Sequence, residues 1–264
     1  MSVFPGPLLT GLEVPWDHEM ALLEAGDRSL VKREFVTPAE VTRLQSAGWT
    51  VSVVEETYGL EGQRPEITMG EGSERTAFVG REDAVRRATV LEQAERHDHS
   101  DSRLQAMAEI GSLLGYPTCC TAAYLQQDDQ GETASFERLI QTGPTSGLPA
   151  ANNLFVLSHQ LISHFPCSLD CKASAAVGQR ALEILSSTSP THADALVKLL
   201  RSPIVVWDRF RILVEHPEEG PVAADRLSHE PRLLDHPGFR EFHEALPEVP
   251  RGGERLCFDQ ESGS

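Results

Sequence analysis

Two short motifs contain four of the five cysteines in this chain of 264 residues. The first motif, GYPTCC, contains Cys119 and Cys120, and the second, HFPCSLDC, contains Cys167 and Cys171. Thiolates bind zinc and iron–sulfur centres, and they are also the nucleophiles of thiol redox chemistry. The two motifs therefore predict metal binding or redox chemistry.

The spacing of the cysteines favours a polynuclear centre. Adjacent residues of a helix point about 100° apart, so Cys119 and Cys120 are expected to reach one small ion only if their helical turn is distorted. A [4Fe–4S] cube offers a separate iron to each thiolate, whereas one tetrahedral zinc ion requires all four to converge. The predicted cofactor is an iron–sulfur cluster of the [4Fe–4S] type, with zinc as the alternative. A metal-free dithiol and buried structural cysteines are the remaining interpretations.

Two residues beside the cysteines are candidates for catalysis. His164 comes shortly before the second motif, where an imidazole could bind the metal, orient a thiolate, transfer a proton or only cap a helix. Tyr116 could supply a phenol next to the first pair, or only fill the corner between a glycine and a proline. Cys257 is expected to be a packed thiol, and the HDH segment at 97–99 to be a solvated break between helices.

Composition limits the classes of partner. The chain has 23 Lys and Arg against 40 Asp and Glu, a formal charge of −17, which repels phosphate backbones and anionic lipids. The amino terminus lacks a signal-peptide pattern, and no stretch reaches the roughly 20 apolar residues that cross a bilayer. We expect a soluble cytoplasmic protein that binds a small-molecule or peptide substrate, with an accessory protein as a further candidate partner and with no nucleic acid or membrane.

The elements that would position the motifs predict an α+β fold in three parts. Residues 1–80 have a mixed α/β pattern, in which Thr37 and Pro38 start a helix ahead of a strand-like segment. Residues 81–202 are predicted to be a mainly helical metal-binding core. Residues 203–264 are predicted to contain a strand and irregular chain.

Both motifs are predicted to lie where one helix ends and the next begins. Gly115 suits a helix end and Pro117 a helix start, which places the first pair in a first helical turn. The apolar spacing over 154–165 predicts another helix, and the helix after it is predicted to begin near Ser168 and to include Cys171. Because helix N-termini favour thiolates, two of them would form one anionic site, with sulfur atoms within about 7 Å across the motifs.

Together, LGYPTCC and HFPCSLDC resemble a poorly characterised prokaryotic cysteine-motif family, written L-G-Y-P-x-C-C followed by H-x-P-C-x3-C. The resemblance covers about residues 77–190. It names no reaction, and it implies that six residues form one site, namely Tyr116, Cys119, Cys120, His164, Cys167 and Cys171.

The leading hypothesis is an iron–sulfur-dependent enzyme that acts on a small molecule or a peptide. The cluster would be bound by all four cysteines, or by three with one iron open as a Lewis acid. An open iron suits a lyase, a hydrolase or a sulfur-transfer enzyme, and a closed cluster suits redox chemistry. The alternatives are a zinc-stabilised adaptor or interaction protein, and a dithiol oxidoreductase.

Overall fold

The computed structural model describes residue 12 and residues 16–61, 66–69, 75–97, 101–126, 131–156, 159–206, 212–216, 220–223 and 253–259. Within these ranges the protein combines α-helices with small, mainly antiparallel sheets, which confirms the predicted α+β class. The chain divides into two compact units, one of residues 19–126 and one of residues 1–18 with 127–264. The division into three parts stays a prediction.

The unit of residues 19–126 contains a four-stranded sheet with helices on both faces. Its strands lie in the order β1-β4-β2-β3, and all neighbours are antiparallel. In chain order the elements are α1 (His18–Glu24), β1 (Leu30–Val36), α2 (Pro38–Ser46), β2 (Thr50–Glu61), β3 (Glu66–Met69), β4 (Arg75–Gly80), α3 (Glu82–His97), α4 (Asp101–Leu113) and α5 (Thr118–Leu125).

Alternating side chains in the strands explain why both faces are covered. Leu30 and Phe78 belong to a buried cluster with apolar residues of α3 and α4. Their chain neighbours Val31 and Val79 belong to a second buried cluster, which includes Leu44 of α2. The sheet is therefore the middle layer of this unit.

The start of α2 confirms the predicted capping residues. Thr37 is the N-cap and Pro38 lies in the first turn. The Glu40 N–H donates to Thr37 Oγ1 at 3.2 Å. The Glu40 carboxylate accepts a hydrogen bond from Arg33 at 3.2 Å, so it also ties the helix to β1.

The other unit combines helices with two small sheets. One sheet has the antiparallel strand order β8-β7-β6-β9, and in the other β5 and β10 are parallel. The elements are α6 (Gly131–Thr142), β5 (Leu148–Pro149), a 3₁₀ turn (Ala150–Asn152), α7 (Lys172–Thr188), α8 (Pro190–Leu200), β6 (Ile204–Val206), β7 (Ile212–His216), β8 (Gly220–Ala223), β9 (Glu254–Leu256) and β10 (Phe258–Asp259).

A glycine allows α7 to approach the 3₁₀ turn closely. A Cβ at Gly178 would lie 2.8 Å from the carbonyl oxygen of Ala151, closer than side-chain carbons approach other atoms. The contact fixes α7 against the segment that precedes the second cysteine motif. In the part of the chain that the structure describes, no helix has both the length and the apolar character needed to cross a membrane.

The predicted helix over 154–165 does not form as an α-helix in the described residues 154–156 and 159–165, of which only position 159 has a 3₁₀ assignment. Asn153 explains part of this difference, because its Oδ1 accepts the N–H of Phe155 at 3.1 Å and its Nδ2 donates to the carbonyl of Leu200 at 2.8 Å. Such side-chain bonds compete with the helical pattern. The apolar residues are buried all the same; Phe155, Val156, Leu161 and Ile162 are each at most 1% exposed. The apolar spacing therefore reflected burial in the core.

Candidate metal centre

A Schellman motif ends α4 and turns the chain toward the first cysteine pair. The N–H of Tyr116 donates to the carbonyl of Gly111 at 2.9 Å, and the N–H of Gly115 donates to that of Ser112 at 3.0 Å. Gly115 has a φ of +74°, which glycine adopts without a Cβ penalty. The prediction that this glycine ends the helix is confirmed.

The first turn of α5 contains Cys119 and Cys120, as predicted. Pro117 is the N-cap, and its carbonyl accepts the N–H of Cys120 at 2.9 Å and that of Thr121 at 3.0 Å. The sulfur atoms of the two cysteines lie 3.9 Å apart within this α-helix. Two neighbouring thiols in a first helical turn can therefore lie close together, because each sulfur can rotate about χ1 toward the other.

A buried arginine lies behind the corner between α4 and α5. The Arg28 Nη1 donates to the Glu19 carboxylate at 3.3 Å, and the Arg28 guanidinium carbon lies 5.8 Å from the centroid of the Tyr116 ring. Tyr116 also packs against the buried cluster formed by the sheet with α3 and α4. These contacts give Tyr116 a packing role, and its catalytic role stays a prediction.

The second cysteine pair lies on the loop that enters α7. Cys171 is the N-cap residue of α7, and Cys167 lies four residues earlier, outside the helix. The N–H of Cys171 donates to the carbonyl of Ser168 at 3.0 Å, which forms a turn ahead of the helix. The predictions that Ser168 caps the helix and that Cys171 lies inside it are wrong. The turn occupies residues 168–171, so α7 begins only at Lys172.

Two polar side chains from earlier elements hold this loop through its carbonyl groups. Arg138 of α6 donates from Nη1 to the carbonyl of Cys167 at 2.9 Å and from Nη2 to that of Pro166 at 3.3 Å. Asn152 of the 3₁₀ turn donates from Nδ2 to the carbonyls of Leu169 at 2.9 Å and Cys171 at 3.0 Å. Four carbonyl groups between 166 and 171 therefore accept bonds from just two side chains.

The two motifs bring their thiols together. The sulfur atoms of Cys119, Cys120, Cys167 and Cys171 lie within 4.8 Å of one another and form a group that could hold a metal ion. We call this group the four-cysteine site. The expectation of sulfur atoms within about 7 Å is confirmed. Among the described residues, no histidine or carboxylate belongs to the group.

Exposure differs among the four thiols. Cys120 and Cys171 are buried, Cys167 is half-buried and Cys119 is exposed. Cys171 stands at the N-terminus of α7, while Cys119 and Cys120 stand in the first turn of α5. The unpaired N–H groups and the dipole at these helix ends favour negative charge. The arrangement confirms the prediction that the cysteines precede or open their helices.

His164 lies beside the second loop in a buried position. Its Nε2 is 3.0 Å from Oγ of Ser174, which lies in the first turn of α7 and is also buried. The helix-capping alternative does not apply, because the described residues just before His164 are not helical. His164 is not a member of the four-cysteine site, and its catalytic role stays a prediction.

The remaining sequence candidates lie apart from the four-cysteine site or cannot be placed. Cys257 lies between β9 and β10, its N–H donates to the carbonyl of Thr145 at 2.8 Å, and it is not a member of the group. Only position 97 of the HDH segment is among the described residues, at the end of α3. The solvated break therefore lies outside the described residues.

Sequence reasoning missed Arg28, Arg138 and Asn152. An arginine in an amphipathic helix usually lies on the surface, so nothing in the sequence of α6 marked Arg138. Asn152 did leave a signal, because it begins a pair of asparagines in the otherwise apolar stretch PAANNLFVL. Buried asparagine needs hydrogen-bond partners, and backbone carbonyls of an irregular loop are such partners.

No protein-family model, curated protein or solved structure matches this chain.

Proposed function

We propose that this is a zinc protein in which the four cysteines bind a single tetrahedral ion and thereby stabilise the fold. The observation that carries the proposal is the spacing of the sulfur atoms, all within 4.8 Å of one another. Around one zinc ion with Zn–S near 2.3 Å, tetrahedral geometry spaces the sulfur atoms about 3.8 Å apart. The 3.9 Å between Cys119 and Cys120 agrees with that spacing.

A [4Fe–4S] cube requires a wider arrangement. Each thiolate then binds a different iron at a corner of the cube, which spaces the sulfur atoms roughly 6 Å apart. The 4.8 Å limit on every sulfur pair is shorter than that. The spacing therefore supports the zinc alternative over the cluster that the sequence alone favours.

Four thiolates complete a tetrahedral zinc shell, and closed shells are typical of structural sites. Catalytic zinc keeps one position for water or substrate, which this donor set does not leave. A bound ion would join Cys119 and Cys120 to residues 47 or more positions later in the chain. Among the predicted classes, this role corresponds to the zinc-stabilised adaptor or interaction protein.

The iron–sulfur enzyme is the second candidate, and one observation favours it. Cys119 is exposed, which would leave one side of a bound cluster open to a small-molecule or peptide substrate. A purely structural site does not need that opening. In this candidate, three cysteines would hold a cluster, with Tyr116 and His164 as the nearby acid or base groups.

Metal and sulfide analysis of the full chain separates the candidates. The protein is purified without a metal-affinity step, once in air and once under nitrogen, and its zinc, iron and acid-labile sulfide are measured. We expect one zinc per chain, no sulfide and no colour in both preparations. Iron with equimolar sulfide and a broad absorbance near 400 nm would support the enzyme instead, and protein without metal in both preparations would contradict both candidates.

A further inference from the structure

We propose that Arg138 and Asn152 are positioning residues that hold the loop of residues 166–171 in its metal-binding conformation before the metal binds. The inference rests on the proposed metal site and deepens it, because it assigns the preformed part of that site to two residues that are not ligands. We call these two residues the carbonyl clamp.

The loop needs such support because it has little regular structure of its own. Residues 165–171 precede α7 and belong to no helix or strand. Inside the loop, the Cys171 N–H donates to the Ser168 carbonyl. Fixing the backbone of each residue of such a loop costs conformational entropy. A loop that is ordered before binding does not subtract that cost from metal affinity.

Arg138 fixes the beginning of the loop. Its guanidinium donates from two nitrogens to the consecutive carbonyls of Pro166 and Cys167, a planar fork that lysine cannot reproduce. The contact spans 28 and 29 positions of the chain, so α6 sets the position of Cys167.

Asn152 fixes the end of the loop. Its fully buried amide donates to the carbonyls of Leu169 and Cys171. Cys171 is therefore held both by this amide and by the start of α7. Each cysteine of the second motif has its own carbonyl bonded to one member of the clamp.

Charge gives Arg138 a further role. Zinc with four thiolates has a net charge of −2, and a guanidinium bonded to the backbone of Cys167 brings positive charge close to that centre. Arg138→Lys keeps the charge and loses the fork, whereas Arg138→Gln loses the charge and keeps an N–H donor. The two variants separate geometry from charge.

The test measures zinc affinity of the full chain by competition with a chromogenic chelator. Arg180→Gln is the matched control, because Arg180 is an exposed arginine of α7 that pairs with Glu183. We expect wild type and Arg180→Gln to agree, and both Arg138 variants to bind zinc about 10- to 100-fold more weakly, the usual effect of losing a residue that supports a ligand. The loss should be larger for Arg138→Gln than for Arg138→Lys, because only the glutamine variant also loses the positive charge. The cobalt-substituted variants should retain the tetrahedral thiolate spectrum at saturating metal.

Amide hydrogen exchange of the metal-free chain supplies a second readout that does not depend on metal. We expect the Cys171 N–H to exchange faster in Arg138→Gln than in wild type, while the amides of α8 keep their protection. Asn152→Leu, where it folds, should show the same faster exchange at Cys171. Equal zinc affinity and equal exchange in Arg138→Gln and Arg180→Gln would overturn the inference. Absence of zinc binding by wild type would instead overturn the proposed function, and with it the clamp's role toward metal.

Discussion

The sulfur atoms of Cys119 and Cys120 lie 3.9 Å apart although the two residues are neighbours in the first turn of α5. Side chains of consecutive helical residues leave the backbone about 100° apart, so the approach depends on rotation of both sulfurs about χ1. The resulting distance is close to the edge of a zinc–thiolate tetrahedron, about 3.8 Å. A vicinal cysteine pair can therefore supply two ligands to one ion.

Replacing single cysteines of the four-cysteine site should remove the metal. Cys119→Ser and Cys171→Ser each delete a thiolate, and a serine hydroxyl is a much poorer ligand for zinc. We expect each variant to retain less than about a tenth of the zinc of wild type after dialysis against a weak chelator. Zinc, iron and sulfide are measured in the same samples.

Cys257→Ser is the matched control for these variants. Cys257 is a free cysteine outside the four-cysteine site. Its replacement should leave metal content unchanged. Normal metal content in both Cys119→Ser and Cys171→Ser, or an equal loss in Cys257→Ser, would contradict the assignment of the ligands.

Gly115→Ala should destabilise the corner that presents the first pair. The positive φ costs a non-glycine residue about 1–2 kcal/mol, and the new Cβ would lie 3.4 Å from Cγ of buried Arg28, an ordinary van der Waals contact that adds no clash. Gly147→Ala is the control, because Gly147 has a φ of +68° and its new Cβ would have no atom of the described residues within 4 Å. Urea unfolding should therefore give similar losses for Gly115→Ala and Gly147→Ala, each of about 1–2 kcal/mol. No loss in Gly115→Ala would contradict the role of its positive φ at the end of α4.

His164→Ala should lower stability and leave the metal in place. The substitution leaves the buried Ser174 hydroxyl without its imidazole partner, which costs about 1–3 kcal/mol. Ser174→Ala removes the other half of the same contact and should behave similarly. Thermal unfolding and zinc analysis are measured together. Loss of zinc from His164→Ala alone would show that the histidine binds or orients the metal.

The sequence predicted the surroundings of the first pair better than those of the second. Around Gly115 and Pro117 the local sequence was sufficient, because a Schellman motif at a helix C-terminus and a proline at a helix N-terminus each depend on only a few neighbouring residues. In the described residues 154–156 and 159–171, the backbone accepts hydrogen bonds from side chains distant in the chain, such as Arg138, and donates to buried Asn153. Periodicity in an apolar stretch cannot distinguish a buried irregular segment from a helix.

The choice of the proposed cofactor depends on distances that the sequence does not provide. Sequence spacing gives the candidate donors, whose sulfur atoms the structure brings together, but it does not give the rotation of each sulfur about χ1. That rotation decides whether four thiolates surround a single ion or occupy separate corners of a cube. The distances within the four-cysteine site, all within 4.8 Å, therefore carried information that spacing alone lacks.

X-ray absorption fine structure at the zinc edge tests the central claim most directly, because it counts the atoms bound to the metal and measures their distances. For the full chain with its native metal, we predict four sulfur neighbours at about 2.3 Å and no second metal nearby. Two or three sulfur atoms completed by nitrogen or oxygen would contradict the closed four-cysteine site. Iron with a neighbouring iron, measured at the iron edge, would contradict the single-ion assignment.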